Sequence, residues 1–143
     1  METRLVVIKD FRDLDVYKLS NELACKVYKT TVKFPESERF GIVNQIQRAA
    51  SSVGANIAEG SSRYHTKDYI KFLYIARGSL SEVLHFLTLS EMLGYIDDDL
   101  LADYDKQINS ISLKINNLIA ALSRQIVARS HKKPLLDSGE PYV

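Results

Sequence analysis

The chain has 143 residues, of which 45% are hydrophobic and 26% charged, a composition typical of a globular protein with one core. The formal net charge of +1 indicates no particular partner. The single cysteine, Cys25, excludes an intrachain disulfide and a cysteine-based zinc site. No segment reaches the roughly 20 apolar residues that span a bilayer, and the start of the sequence lacks a signal-peptide pattern. We therefore expect a cytoplasmic protein with no membrane contact.

The first two predicted helices are separated by Pro35, the sole proline before residue 130. Apolar residues at every third or fourth position predict a helix over residues 13–33, which ends where Pro35 restricts the backbone. Ser37 is the expected cap of a second helix over residues 38–61. The predicted core stripe of this second helix consists of Val43, Ile46, Ala50, Val53 and Ile57.

The third and fourth predicted helices are longer. Thr66 is the expected N-cap of the third, and Gly94 is its expected C-cap. The fourth helix is predicted over residues 98–125. The acidic run that begins at Asp97 is expected to cap it, and its negative charges interact favourably with the positive end of the helix dipole. Its predicted core stripe is Tyr104, Ile108, Ile111, Ile115, Leu118 and Leu122.

Short connections between helices of similar length predict antiparallel neighbours. The predicted fold is therefore all-α, an antiparallel up-down-up-down four-helix bundle. The bundle domain is expected over residues 13–126. Residues 1–12 form an N-terminal extension in this interpretation, and residues 127–143 form a flexible C-terminal tail.

Helices two and three each carry features beyond one core stripe. Helix two contains a run of small residues around Gly54, and helix three is apolar nearly all round, with Ile75, Phe86 and Leu89 on a second side and Gly78 nearby. Because a contiguous exposed apolar face usually marks an interface, we expect self-association through these helices. A wide core with a few singly exposed apolar residues is the competing interpretation.

A line of polar residues runs along helix two, about 100° from its core stripe. It consists of Gln45, Arg48, Ser52, Asn56 and Glu59. We interpret the line as a polar network that fixes helix register, with Arg77 of helix three as the candidate partner of Glu59. An ordinary solvated face is the alternative.

Several short segments resemble the four-helix bundle proteins related to the 23S rRNA intervening-sequence protein. The most specific are NIAEG at residues 56–60 and ARGSL at residues 76–80. The other matching segments are Phe34-Pro35-x-x-Glu38, Gln45-Ile46-Gln47-Arg48-Ala49, Asp13-Leu14-x-Val16 and Leu93-Gly94-Tyr95-Ile96. Tyr17 departs from the pattern, since the family usually has tryptophan there.

The resemblance implies a closed bundle that assembles into a ring-like homo-oligomer, typically a pentamer. Members are encoded in inserts of ribosomal RNA genes or elsewhere in bacterial genomes. A more distant relative is the accessory protein of diversity-generating retroelements, a basic pentamer that works with a reverse transcriptase and nucleic acid. The resemblance implies no catalytic activity, and fold-level analogy is a weak basis for function.

Two basic clusters make RNA or DNA the leading partner besides the chain itself. Phosphate contacts require exposed Lys and Arg side chains, and repetition in a ring would bind a polyanion at many points. The clusters are Lys18, Lys26, Lys29 and Lys33 on helix one, and Arg63, Lys67 and Lys71 at the junction of helices two and three. The sequence pI of about 7.8 argues against this. Solvated faces are the alternative interpretation.

An enzyme is the least expected class. The three histidines are far apart in the sequence, and no repeated Glu-x-x-His pattern or glycine-rich phosphate loop occurs. We therefore expect no metal, cofactor, catalytic residue or small-molecule substrate. The alternative to nucleic-acid binding is an oligomeric scaffold that binds a protein partner through the second apolar face of helix three.

Overall fold

The computed structural model of the chain describes residues 10–132, and all regular structure in that range is helical. The four helices are α1 (Asp15–Thr31), α2 (Ile42–Ser61), α3 (Thr66–Met92) and α4 (Asp98–Lys132). Short 3-10 turns, Phe11–Asp13 and Glu36–Glu38, precede α1 and α2. The all-α prediction is confirmed.

The helices pack around one core as a bundle. Each helix contacts the next along the chain, and α4 returns to contact α1. Within residues 10–132, no Cα atoms of the diagonal pairs α1–α3 and α2–α4 come within 8 Å of each other. Fully buried side chains come from all four helices, so the predicted apolar stripes do face one another. They include Leu23, Ile46, Ile57, Leu73, Leu87, Ile111 and Ile115.

Tyr104 closes the bundle between α4 and α1. Its side chain is fully buried, and its hydroxyl lies 2.5 Å from the Thr30 hydroxyl. The Lys26 ammonium lies 4.2 Å from the centre of the Tyr104 ring. The hydroxyl is therefore satisfied inside the protein, as a buried tyrosine requires.

The start of α2 differs from the prediction. Pro35 leads into a 3-10 turn, and α2 begins only at Ile42, so the prediction that Ser37 caps it was wrong. The Glu38 carboxylate does this instead, because its Oε2 accepts from the Ile42 N–H at 3.2 Å. Its other oxygen, Oε1, accepts from the Tyr95 hydroxyl at 3.1 Å. Glu38 thus joins the α1–α2 connection to the α3–α4 turn.

The α3–α4 turn follows the prediction. Gly94 has φ +78°, a left-handed conformation that glycine adopts at little cost after a helix. The Leu100 N–H donates to the Asp97 carboxylate at 2.8 Å, so Asp97 caps α4. The other α3 terminus is off by one residue, since Thr66 is the first helical residue and His65 is the N-cap.

The end of α4 was predicted too early. The helix continues past Gln125 to Lys132, because no helix breaker occurs before Pro134. Leu122 is its last buried residue, so the final turns project beyond the core. Of the predicted terminal segments, residues 1–9 and 133–143 lie outside the described residues, whereas residues 127–132 are helical rather than an irregular tail.

Candidate nucleic-acid interface

The junction between α2 and α3 holds a dense group of exposed cations and rings. Arg63 Nη2 lies 2.6 Å from Glu59 Oε1, and its guanidinium lies 4.8 Å from the Phe72 ring. Arg63 is thus held in place while staying about half exposed. Tyr64 is 95% exposed, the highest value among the large apolar side chains that the structure describes.

Lys67 and Lys71 extend this group along the first turns of α3. Both side chains are exposed, and one acidic residue, Asp68, lies in the same first turn. The three predicted residues of this cluster therefore lie together on the surface. Phosphates favour such a position, since cations and the amino-terminal end of a helix both attract anions.

The lysines of α1 form a weaker group than their number suggests. Lys18, Lys29 and Lys33 are exposed, but Lys26 Nζ lies 2.5 Å from Asp103 Oδ2 on α4. The hydrogen bond from Lys26 lowers the pKa of Asp103, so the charges of this pair offset each other.

An open groove of ≈ 530 Å³ follows the outer side of α1, and both Glu22 and Cys25 line it beside the lysines. Glu22 repels phosphate on this surface, as Glu59 and Asp68 do at the α2–α3 junction, so acidic side chains reduce the positive charge of both clusters.

The polar line of α2 is only partly a network. Ser52 Oγ lies 2.7 Å from the buried Ser79 Oγ of α3, and Asn56 Nδ2 donates to the Ser52 carbonyl at 2.8 Å. The Ser52–Ser79 contact joins α2 to α3, whereas the Asn56 bond stays within α2. Arg48 is exposed, and it makes no ion pair with residues 10–132.

The predicted pair of Glu59 and Arg77 is not formed. Glu59 pairs with Arg63, four residues along the same chain, a spacing that brings side chains together on a helix. Arg77 instead donates from Nη1 to Asn116 Oδ1 of α4 at 2.9 Å. Arg77 therefore connects α3 to α4 and not to α2.

The interface residues predicted on α3 differ in their exposure. Ile75 is 44% exposed, and Tyr74 and Leu93 are exposed to about the same extent. A Cβ atom added to Gly78 would meet nothing within 4 Å in the part of the chain that the structure describes. Phe86 and Leu89 are half-buried and pack against the core, so they are less available than Ile75.

The comparisons with known proteins agree with the resemblance found in the sequence. The family model described as 23S rRNA-intervening sequence protein matches residues 12–117. The chain belongs to this family. A solved protein of unknown function from the S23 ribosomal protein family of Bacteroides thetaiotaomicron VPI-5482 is 28% identical, with a TM-score of 0.65 over 73% of this chain and 97% of that one. No curated protein matches the chain.

The segments that carry the family resemblance mostly hold the bundle together. Phe34 is buried, and its ring lies 5.3 Å from that of Tyr95, which also binds Glu38. Gly60, the last residue of NIAEG, packs under Tyr69 and Phe72. Family membership therefore accounts for the fold and leaves the activity open.

Within 10–132, no three His, Cys, Asp or Glu side chains are grouped so that they could hold a metal ion. In that same part of the chain, no helix has both the length and the apolar character to cross a membrane.

Sequence reasoning missed Tyr64. The signal was present, because Arg63-Tyr64-His65 precedes the first turn of α3 and Lys67 follows. Aromatic residues between basic ones are typical of nucleic-acid surfaces. Spacing alone does not tell whether a loop tyrosine points outward, and here the ring is almost fully exposed, with the His65 ring centre 5.0 Å away.

Proposed function

We propose that this family member is a non-enzymatic homo-oligomer that binds RNA through its surface cations, chiefly those of the α2–α3 junction. The supporting observation is the concentration of Arg63, Lys67 and Lys71 at one exposed site. Binding of phosphates by Lys and Arg releases counterions and supplies most non-specific affinity. Repetition of the site in a homo-oligomer would multiply this affinity. We expect no cofactor, no small-molecule substrate and a cytoplasmic location.

Two matched charge reversals test where RNA binds. Lys67→Glu/Lys71→Glu changes the junction, and Lys18→Glu/Lys29→Glu changes α1. Arg63 is left intact because it holds Glu59 and Phe72. Binding of a structured RNA, measured by fluorescence anisotropy at several salt concentrations, should weaken more than about tenfold at low salt for the junction variant. The slope of log affinity against log salt should also become shallower by about 2, because each lost lysine removes about one phosphate contact.

The same experiment has outcomes that contradict the proposal. A loss confined to the α1 variant would move the site to α1. An RNA affinity unchanged in both variants, or no binding by the parent protein at low salt, would overturn RNA binding through these patches. Circular dichroism of each variant controls for folding.

The proposed self-association uses the outer face of α3. Its support is the exposed apolar side chains Tyr74, Ile75, Met92 and Leu93, of which Tyr74 and Ile75 lie within one helical turn of the open Gly78. A pentamer is the assembly that the family resemblance implies. Gly78→Leu should reduce the mass measured by light scattering coupled to size exclusion, because the added side chain would separate the two surfaces. An unchanged oligomer would exclude Gly78 from the interface, and a monomeric parent would overturn self-association.

The second candidate function is an oligomeric scaffold that binds a protein partner. The exposed apolar side chains of α3 favour it, since an apolar face can receive either a second copy or another protein. Salt distinguishes the two functions, because phosphate contacts weaken steeply as salt rises and apolar docking does not.

We also infer that the helices alternate in direction, up-down-up-down. Near the start of α1, Asn21 lies against Gly54, whereas Thr31 at its end accepts from Gln47. Contacts that advance along α1 and retreat along α2 support antiparallel packing. Spin labels at Glu22 and Ala55 should be close together. A label at Asn44 should lie about 16 Å away from Ala55 along the helix axis and therefore farther from Glu22, and the reverse order would contradict the inference.

A further inference from the structure

Tyr64 is placed where a ring can bind something from solution. It lies in the four-residue connection between Ser61 and Thr66, and its 95% exposure means that it contributes almost nothing to the core. A single exposed apolar residue is normal. This one, however, follows Arg63 directly and precedes Lys67 by three positions, so exposed basic residues flank it in the sequence.

The end of α4 lies at the same end of the bundle. Arg77 of α3 contacts Asn116 of α4, and α3 and α4 run in opposite directions in the inferred topology. Lys67 lies ten residues, about 15 Å, before Arg77. An equal distance beyond Asn116 reaches Ile126. The last turns of α4 therefore extend past the level of Lys67.

These last turns of α4 are basic. Arg124 and Arg129 are exposed, and no Asp or Glu occurs between Lys106 and Lys132. The α2–α3 junction and the projecting part of α4 thus lie at the same end of the bundle, and we call their exposed cations together with Tyr64 the basic end (Arg63, Tyr64, Lys67, Lys71, Arg124 and Arg129).

We propose that the basic end binds unpaired nucleotides, with a base stacked on the Tyr64 ring and the phosphates lying along the surrounding cations. This inference depends on the proposed RNA binding and names its substrate class. A ring that projects from a loop can stack only on a base whose face is free, and the bases of a duplex are already stacked on one another. Aromatic rings within a positively charged groove are the usual way to bind single strands.

The test compares a fluorescein-labelled uridine oligonucleotide with a labelled RNA duplex, for the full-length protein and two variants of one residue. Tyr64→Ala should weaken binding of the single strand roughly 5- to 150-fold, the loss typical of one base–aromatic stack, and should leave duplex binding unchanged. Tyr64→Phe keeps the ring and should retain the parent affinity. Tyr28→Ala, which removes a tyrosine of α1 that is 47% exposed, is the matched control.

A direct readout is available because the chain has no tryptophan. Stacking on Tyr64 should quench part of the tyrosine emission when the uridine oligonucleotide is added. Tyr64→Ala should lose this change, and Tyr28→Ala should keep it.

Each outcome separates this inference from the proposed function. If the parent binds RNA and Lys67→Glu/Lys71→Glu weakens it, but Tyr64→Ala does not, then RNA binding stands and stacking is wrong. Equal losses for single strand and duplex in Tyr64→Ala, or equal losses in the Ala and Phe variants, would also overturn stacking. If the parent binds neither RNA, the proposed function itself fails. Arg124→Glu/Arg129→Glu should weaken both ligands, and no change in either would remove α4 from the site.

Discussion

Glycines occur on the inner side of α2 and on the outer side of α3, and their surroundings differ. Gly54 and Gly60 of α2 are covered by neighbouring side chains, and Gly78 of α3 is open. A Cβ atom on Gly60 would lie 2.7 Å from Phe72 Cβ, and one on Gly54 would lie 2.5 Å from Asn21 Oδ1. Both distances are too short for real atoms. A Cβ atom on Gly78 would meet nothing within 4 Å among residues 10–132. The first two glycines let other helices approach α2, whereas no described part of the chain approaches Gly78.

Small residues in a helical sequence can therefore serve packing within the chain or packing against another molecule. At Gly54 and Gly60 the cause is internal packing, so the small-residue run of α2 needs no second molecule to explain it. That removes part of the original case for self-association through α2. Gly78 still needs an explanation, since glycine costs about 1 kcal/mol against alanine in an exposed helix. The outer face of α3 is where the assembly proposal now rests.

Gly60→Ala should have the largest effect. Its Cβ would meet Phe72 Cβ and lie 3.3 Å from the Tyr69 carbonyl oxygen, and these atoms move only if α3 moves. Overpacking of this kind costs about 1–3 kcal/mol, which exceeds the gain of up to about 1 kcal/mol in helix propensity. Urea unfolding should therefore show a net loss of roughly 1–2 kcal/mol. An unchanged midpoint would mean that α3 does not press on Gly60.

Gly54→Ala should have the next largest effect, a loss of about 1 kcal/mol, because part of the strain is relieved by rotation of a side chain. The closest atom is Asn21 Oδ1, at the end of a short polar side chain, and Tyr17 Cε2 lies at an ordinary 3.6 Å. In an Asn21→Ala background the same change should become neutral or stabilising. A double-mutant cycle measures this coupling. Purely additive changes would show that Asn21 does not limit the position.

Gly78→Ala should act in the opposite direction, with a gain of up to about 1 kcal/mol, because alanine is the better helix former and the site is open. Urea unfolding at low protein concentration tests this. A loss of stability would contradict the open surroundings of Gly78, since it would show that another surface covers Gly78 in solution. A gain in stability together with reduced oligomer mass would support an interface at Gly78, because the monomer and the assembly would then respond differently to one methyl group.

The helices themselves were predictable because apolar periodicity is local information. Gly94 and Asp97 also act as predicted, since a left-handed turn and a side-chain cap depend on adjacent residues. The predicted start of α2 was wrong because Glu38, not Ser37, reaches the first free N–H after a 3-10 turn. The end of α4 failed because the core stops at Leu122, while the helix needs only the absence of a breaker to continue.

The candidate site was less predictable because its decisive contacts cross the bundle. Lys26 meets Asp103, 77 positions away in the sequence, which weakens the α1 cluster in a way that spacing along one helix does not reveal. Arg77 meets Asn116 rather than Glu59 for the same reason, since its direction is set by the packing of α3 on α4. The cluster at the α2–α3 junction was predictable, because all three of its cations lie within nine residues of each other in the sequence.

Tyr69→Phe should give the smallest change, at the same tight contact that Gly60 forms. The Tyr69 hydroxyl is buried with no hydrogen-bond partner among residues 10–132, and a buried hydroxyl without a partner is unfavourable. Its removal should stabilise the fold by less than about 1 kcal/mol. Burial also raises the pKa of Tyr69 above 10.0, so above pH 10 the unfolded state loses this proton first and stability falls as pH rises. Thermal unfolding followed from neutral to alkaline pH should show a smaller decline for the Phe variant, and equal declines would mean that this hydroxyl is exposed to water.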